Sequence, residues 1–239
     1  MYVIRQATVD DVPTLLKLAK LVHFINLPAD REVIYTKVTR SHECFLAAAG
    51  HEPLPDHGSA HASETASGLR AMMGATDFFM FVLEDTESGA CLGTSQVIAK
   101  MGGPGNPNYS LKLEKRDFFS RSLQTGTSHT VARLFADESG PTEVGGLVLQ
   151  PASRGHKLGR LLSLVRFHFV GLHRVLFSDR MLAEMVAPMT LDGQNMLWEY
   201  LGRRFINLTY AEADSFCQYS KEFITALMQI GRASCRERV

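Results

Sequence analysis

Glu143-Val144-Gly145-Gly146-Leu147-Val148-Leu149-Gln150-Pro151-Ala152-Ser153-Arg154-Gly155-His156-Lys157-Leu158-Gly159-Arg160-Leu161-Leu162 is the stretch on which the reading of this chain turns. Glu143 to Leu149 is an apolar strand, Gln150 to Lys157 is a turn, and Leu158 opens a helical pattern that continues to His173. A turn that joins a buried strand to a helix start presents unpaired backbone N–H groups, and the helix dipole adds positive potential there. An anion is favoured at such a place. The cations Arg154, Lys157 and Arg160, with the small residues Gly155 and Gly159, suit a phosphate cradle. They also suit an ordinary connection with a solvated basic rim, so the turn alone leaves both readings open.

Upstream, Tyr2 to Ala7 alternates as a strand does, and Thr8-Val9-Asp10-Asp11 is a polar start for a helix carrying Val12, Leu15, Leu16, Leu18, Ala19 and Val22. Leu27-Pro28-Ala29-Asp30 interrupts, and Asp30 can cap a second helix with Val33, Ile34, Val38 and Phe45 inward, ending near Gly50. Residues 51–75 are rich in Gly, Ser, Ala, Pro and His without periodicity and read as a surface insertion. Phe78 to Glu84, a Thr86-Glu87-Ser88-Gly89 turn and Cys91 to Lys100 form a β-hairpin. Gly102 to Pro107 is a loop, and Tyr109 to Phe119 and His129 to Ala136 are weaker strands. Beyond the long helix, Arg180 to Ala187 reads as a strand, Gln194 to Leu201 as a helix, Phe205 to Tyr210 as a short strand and Glu212 to Met228 as a closing helix.

Composition narrows the function. A chain of 239 residues, 45% hydrophobic and 21% charged, can bury one large core or two small ones. Formal charge is zero with both signs interspersed, so neither a nucleic acid nor a membrane is expected as partner. The apolar runs are strand-sized, no basic-then-apolar leader opens the sequence, and a cytoplasmic location is expected. Cys44, Cys91, Cys217 and Cys235 lack metal or CxxC spacing, so no metal site is expected and the thiols read as packing or incidental residues. At the other end, Ile230 to Val239 breaks the helical pattern with an Arg-rich string. It can be encoded by ATC GGA AGA GCG TCG TGT AGG GAA AGA GTG, which resembles a common short-read sequencing adapter. Residues 229–239 are therefore expected to be an artefact outside the fold, leaving 1–228 as the folded part.

The spacing Arg154-x-x-x-x-Gly159 at a strand-turn-helix resembles the acyl-CoA pyrophosphate motif of the GNAT N-acyltransferase superfamily. Lys157 stands where that motif has its middle glycine, and its amide can serve if φ stays negative. Ile4 to Val12, the order of elements and Leu197 to Phe205 are similar to the same superfamily. Leu27-Pro28-Ala29, Val82-Leu83-Glu84-Asp85, Glu143 to Arg154, Ala183-Glu184-Met185, Asp192-Gly193 and Trp198 through Arg204-Phe205 to Ala213-Asp214 resemble the arginine N-succinyltransferases over nearly all of 1–228. The resemblance implies an α/β (α+β) fold, a mixed and mostly antiparallel sheet flanked by helices. Members of that family have two GNAT-like halves and are about half as long again, so it also implies that the second half is largely missing here.

The implied reaction moves a succinyl group from succinyl-CoA, a co-substrate and not a resident cofactor, to the α-amine of arginine. The strand Val144 to Leu149 would lie along the pantetheine arm, with Leu147 at the position that contacts succinyl-CoA while its side chain packs in the core. The implied acyl-CoA-binding residues are thus Leu147, Leu149, Arg154, Lys157, Gly159 and Arg160. The histidine that serves the family as proton donor corresponds to a position after Met228, so no catalytic residue is assigned. Many GNAT enzymes use a late-helix tyrosine as acid, but Trp198 holds that place and reads as core, and Tyr200 reads as a surface hydroxyl. Glu84, Glu143, Glu184 and Asp214 are candidates for holding a guanidinium, each with a cap or surface ion pair as the plainer role. The family's Gly-rich Thr-Ser-Leu-Pro loop reads Phe24-Ile25-Asn26-Leu27-Pro28 here. A relative with another amine or acyl donor, or a GNAT-like partner module without chemistry, is the alternative, and homo- or hetero-oligomers are both open.

Overall fold

A computed structural model describes residues 1–21, 27–51, 76–185, 189–190, 194–217 and 220–228. Phe24, Ile25, Asn26, Asp192, Gly193, nearly all of the expected 51–75 insertion and the expected 229–239 artefact lie outside the described residues. The elements run β1 (Tyr2–Gln6), α1 (Val12–Ala19), α2 (Arg31–Ala48), β2 (Phe78–Asp85), β3 (Ala90–Ile98), β4 (Asn108–Ser120), β5 (Thr125–Asp137), β6 (Thr142–Leu149), α3 (Leu158–Leu172), β7 (Met181–Leu182), α4 (Met196–Tyr200), α5 (Tyr210–Phe216) and α6 (Glu222–Leu227). One sheet has the order β1-β2-β3-β6-β7, antiparallel except for the last pair, and β4 with β5 makes a separate two-stranded ribbon.

The interior strand β2 reads Phe-Phe-Met-Phe-Val-Leu without polar interruption because helices cover both faces of the sheet. On one face Phe78, Met80 and Val82 meet Leu15, Leu18, Ile34 and Val38 of α1 and α2. On the other, Phe79, Phe81 and Leu83 meet Leu158, Leu162 and Val170 of α3. Phe45, Phe79, Phe81 and Phe169 stack edge-on or tilted there, with ring centroids 4.7 to 5.4 Å apart. Full burial of one such side chain contributes about 1.5–3 kcal/mol. β1 pairs only with Phe81 to Asp85, and α2 takes over the exposed edge beyond it. There Ser41 Oγ accepts the Met80 N–H at 2.8 Å and Cys44 Sγ accepts the Phe78 N–H at 3.4 Å.

The second helix starts as expected, with Asp30 accepting the N–H groups of Glu32 and Val33, and it ends before Gly50, whose φ is +79°. The ribbon strands are longer than expected, each covering 13 residues. Three expectations are corrected. The strand after α3 is only Met181–Leu182 within the expected Arg180 to Ala187. Phe205 to Tyr210 is not a strand: a 3-10 turn occupies Gly202–Arg204, and Thr209 with Glu212 forms a capping box that starts a helix at Tyr210. The closing helix is two helices, because the Ser220 hydroxyl accepts the Glu222 N–H and begins a new one.

At the β1–α1 junction, Arg5 donates two hydrogen bonds to Asp11, at 2.7 and 2.9 Å, and a third to Glu84. Burial alone would raise the Asp11 carboxyl, but the Arg5 guanidinium and the Thr8 N–H and hydroxyl outweigh it and hold its pKa below the usual range. A depressed carboxyl contributes stability that is present above its unfolded pKa, about 4, and is lost as pH falls through the folded value. Asp11→Asn should therefore cost about 2 kcal/mol in urea unfolding at pH 7. The gap from wild type should narrow once pH falls below about 4 and close only as pH passes through the depressed folded value. A gap independent of pH would show that the charge is not the source.

Candidate active site

β6 supplies the frame of the site. It pairs with β3 along Glu143 to Leu149, but β7 covers only Thr142 and Glu143, so among the described residues no strand flanks Val144 to Leu149 on the β7 side. The β3 pairing is also broken. Thr94 pairs with Val148 and Gln96 with Gly145, so Gly146 and Leu147 together oppose Ser95. Gly146 has φ +56°, and a Cβ there would lie 2.5 Å from Gln96 Cδ, so glycine is required on two counts. The bulge turns Leu147 outward: its side chain is 41% exposed, which corrects the expectation that it packs in the core. Gln96 is buried, and its Nε2 has no hydrogen-bond partner.

Leu149 closes β6 and packs on the α3 side of the sheet. The chain then makes a 3-10 turn at Pro151–Ser153 and enters α3 through Gly155, φ +89°, and Lys157, φ +61°. Lys157 thus adopts the left-handed conformation of the glycine it replaces, against the expected negative φ, at a cost on the order of 1 kcal/mol. Arg154, Lys157 and Arg160 are exposed at this helix start, and none has an ion-pair partner among the described residues. A Cβ on Gly159 would meet only Leu149 Cδ2, at 3.7 Å, so folding itself leaves room for a larger residue there. The turn thus follows directly on the strand end, and of the six residues the sequence singles out Leu147, Arg154, Lys157 and Arg160 are exposed while Leu149 and Gly159 are half-buried. A shallow recess of about 270 Å³ lined by Arg40, Asp77 and Lys100 lies at the other end of β3 and shares none of them.

The candidate carboxylates separate. Glu84 belongs to the Arg5–Asp11 junction, and Glu184 is exposed and accepts from Asn108 Nδ2 at 3.2 Å. Glu143 and Asp214 both attract the Lys37 ammonium of α2. Glu143 shares a sheet row with Ile98 and Phe78, and Lys37 Nζ sits 5.9 Å from the Phe78 ring centre. Burial pushes the Lys37 ammonium down to about 8, against the pull of Glu143 and Asp214. Trp198 is half-buried, donates Nε1–H to the Leu208 carbonyl at 3.0 Å and lies against Gly202, while Tyr200 is exposed. Tyr200 is a surface hydroxyl as expected, whereas Trp198, expected in the core, is only half-buried and lies in neither core cluster.

Lys37, Gln96 and Arg166 escape a reading by motif. Two carried a signal: in Val33-Lys37-Ser41 and in Leu158-Leu162-Arg166-Val170 a cation interrupts a buried stripe at i, i+4 spacing. Arg166 is 6% exposed. It donates Nη1–H to the Gly145 carbonyl at 3.2 Å, Nη2–H to Ser163 Oγ at 2.7 Å and Nε–H to the Ser163 carbonyl at 3.1 Å. Burial lowers its pKa.

A mostly antiparallel sheet, a bulged strand left open on one side and a cationic turn at the start of the following helix define a GNAT-like acyltransferase fold. Comparison with known proteins narrows this. The profile of the family described as arginine N-succinyltransferase beta subunit matches residues 57–231, and the chain belongs to that family. Arginine N-succinyltransferases of Escherichia coli O1:K1 and of Shigella dysenteriae serotype 1 are each 28% identical over 231 residues, covering 95% of this chain and 60% of theirs. The solved structure of arginine/ornithine succinyltransferase subunit AI from Pseudomonas aeruginosa is similar with a TM-score of 0.73 at 26% identity, over 92% of this chain and 60% of that one. This chain thus spans about 60% of the length of the relatives it matches.

Two outcomes test this account. Gly146→Ala should destabilise the protein by about 2 kcal/mol or more, and adding Gln96→Ala should recover only the steric part, leaving the strain of the positive φ; thermal melts of both variants check it. Because the folded Lys37 pKa lies below its unfolded value, wild-type stability should also rise as pH climbs from about 8 to about 10, and Lys37→Met should remove that rise.

Proposed function

We propose that this chain forms the acyl-CoA-binding part of an enzyme that transfers a succinyl group from succinyl-CoA to the α-amine of arginine. The observation that carries the reading is the bulge at Gly146 and Leu147 followed, at the end of the same strand, by the cationic turn of Arg154, Lys157 and Arg160. The positive end of α3 and three cations that are unpaired among the described residues face a pyrophosphate placed at the turn. The side of Val144 to Leu149 left open by β7 offers strand backbone to the amides of a pantetheine arm, as an added strand would.

In the reaction the neutral amine attacks the thioester carbonyl, an N–C bond forms as the C–S bond breaks, and the electron pair leaves with the CoA sulfur. The amine must shed a proton before or during attack and the thiolate gains one, so a base and an acid are required. N–H donors at the carbonyl oxygen stabilise the charge that develops there. Glu143 and Asp214, which both attract Lys37, are the carboxylates on hand for a guanidinium. Ornithine is a second candidate acceptor, because the Pseudomonas aeruginosa relative carries both amino acids in its name.

The test is CoA binding by titration calorimetry. Gly159→Val should weaken CoA by about 2 kcal/mol or more through a branched side chain where phosphate must approach. Its melting temperature is measured alongside to separate lost binding from lost folding, an added Cβ itself meeting only Leu149 Cδ2, at 3.7 Å. Equal CoA affinity in both proteins would mean that the turn is only a connection.

A further inference from the structure

We propose that Arg166 is a specificity-determining residue of the acyl-donor site, receiving the free carboxylate of a dicarboxylic acyl group; the proposal rests on the acyl-CoA reading above. Two routes lead from the turn to this residue. Along α3, Lys157 to Arg166 is a rise of about 13 Å. Along β6, Leu149 back to Gly145 is also about 13 Å. The routes converge, because Arg166 donates to the Gly145 carbonyl at 3.2 Å. A CoA with its pyrophosphate on the turn and its arm laid along β6 carries its acyl group towards this point.

The guanidinium there is incomplete. It has five N–H donors, of which three are engaged, and every acceptor is neutral: the carbonyls of Gly145 and Ser163 and the Ser163 hydroxyl. No carboxylate among the described residues pairs with it, although the residue is buried. A buried cation held only by neutral groups is costly unless an anion completes it. The opening lies beside it, where Gly145 and Gly146 are half-buried and Leu147 is turned outward. Two of the Arg166 N–H donors therefore have no acceptor, and no anion among the described residues faces them. An acyl chain that ends in a carboxylate supplies one, and an acetyl group does not.

The experiment titrates the chain with CoA, acetyl-CoA and succinyl-CoA in a calorimeter. Wild type should bind succinyl-CoA about 10-fold or more tighter than acetyl-CoA. Arg166→Gln should bring that ratio to about one with acetyl-CoA affinity changed less than about two-fold, and Arg166→Lys, which keeps the charge but loses the fork, should fall between. Thermal melts verify folding, and should Arg166→Gln not fold, the ratio for Arg166→Lys decides alone. Equal loss of all three ligands would overturn the proposal and leave Arg166 as a support of the bulge. A wild type without preference for succinyl-CoA would overturn it too. A wild type that binds no CoA species would instead sink the acyl-CoA reading, and the proposal with it.

Discussion

Everything at this site depends on β6 being paired on one side and open on the other. A strand in the middle of a five-stranded sheet ordinarily spends both rows of its backbone groups on its neighbours. Here β7 stops after two residues, and the strand keeps one row available over Val144 to Leu149. The open side survives because rigidity comes from elsewhere: β3 holds the other edge, and α3 packs Leu158 and Leu162 against the strand from one face. A fully paired sheet would be more stable and would have nowhere to lay a ligand arm.

The bulge and the turn are two uses of the same device. Gly146, Gly155 and Lys157 all place the backbone in the left-handed region, and each redirects a short stretch: Leu147 outward at the bulge, the amides of the turn towards solvent. Lysine in such a conformation is disfavoured locally and is retained where it adds a cation to the helix start. The packing of α2 shows similar substitution of function, since Ser41 and Cys44 accept the N–H groups that a longer β1 would have taken.

Much of this was legible in the sequence wherever one local rule decided. The β2–β3 hairpin, the Asp30 cap and the span of α3 follow from periodicity, turn residues and capping. The tail of the chain was misread where rules competed. Phe205 to Tyr210 has strand-like residues, but the Thr209–Glu212 capping box claims its end for a helix. The strand end and the turn that carry the six proposed acyl-CoA residues were placed correctly because motif and element boundary coincide. Leu147 pointed the wrong way because a bulge reverses alternation, and only the pairing partner reveals that Gly146 and Leu147 share one opposite residue. That Glu143 and Asp214 both act on one lysine was beyond any sequence rule: the two are far apart in the chain, and Lys37 comes from a third element.

The β4–β5 ribbon bears on how the protein reaches this structure. Its register, from Asn108 against Asp137 to Ser120 against Thr125, joins residues close in sequence around a tight turn, so it can zip without waiting for the sheet. Before it forms, pairing β3 with β6 requires closing a loop from Ile98 to Thr142. Once it forms, the ends Asn108 and Asp137 lie side by side, and the loop that remains is a few residues on either flank. Closure entropy falls with effective loop length, so an early ribbon speeds the non-local step that creates the β3–β6 edge. A hairpin that stands outside the sheet in the finished protein thereby acts as a kinetic staple for its central pairing.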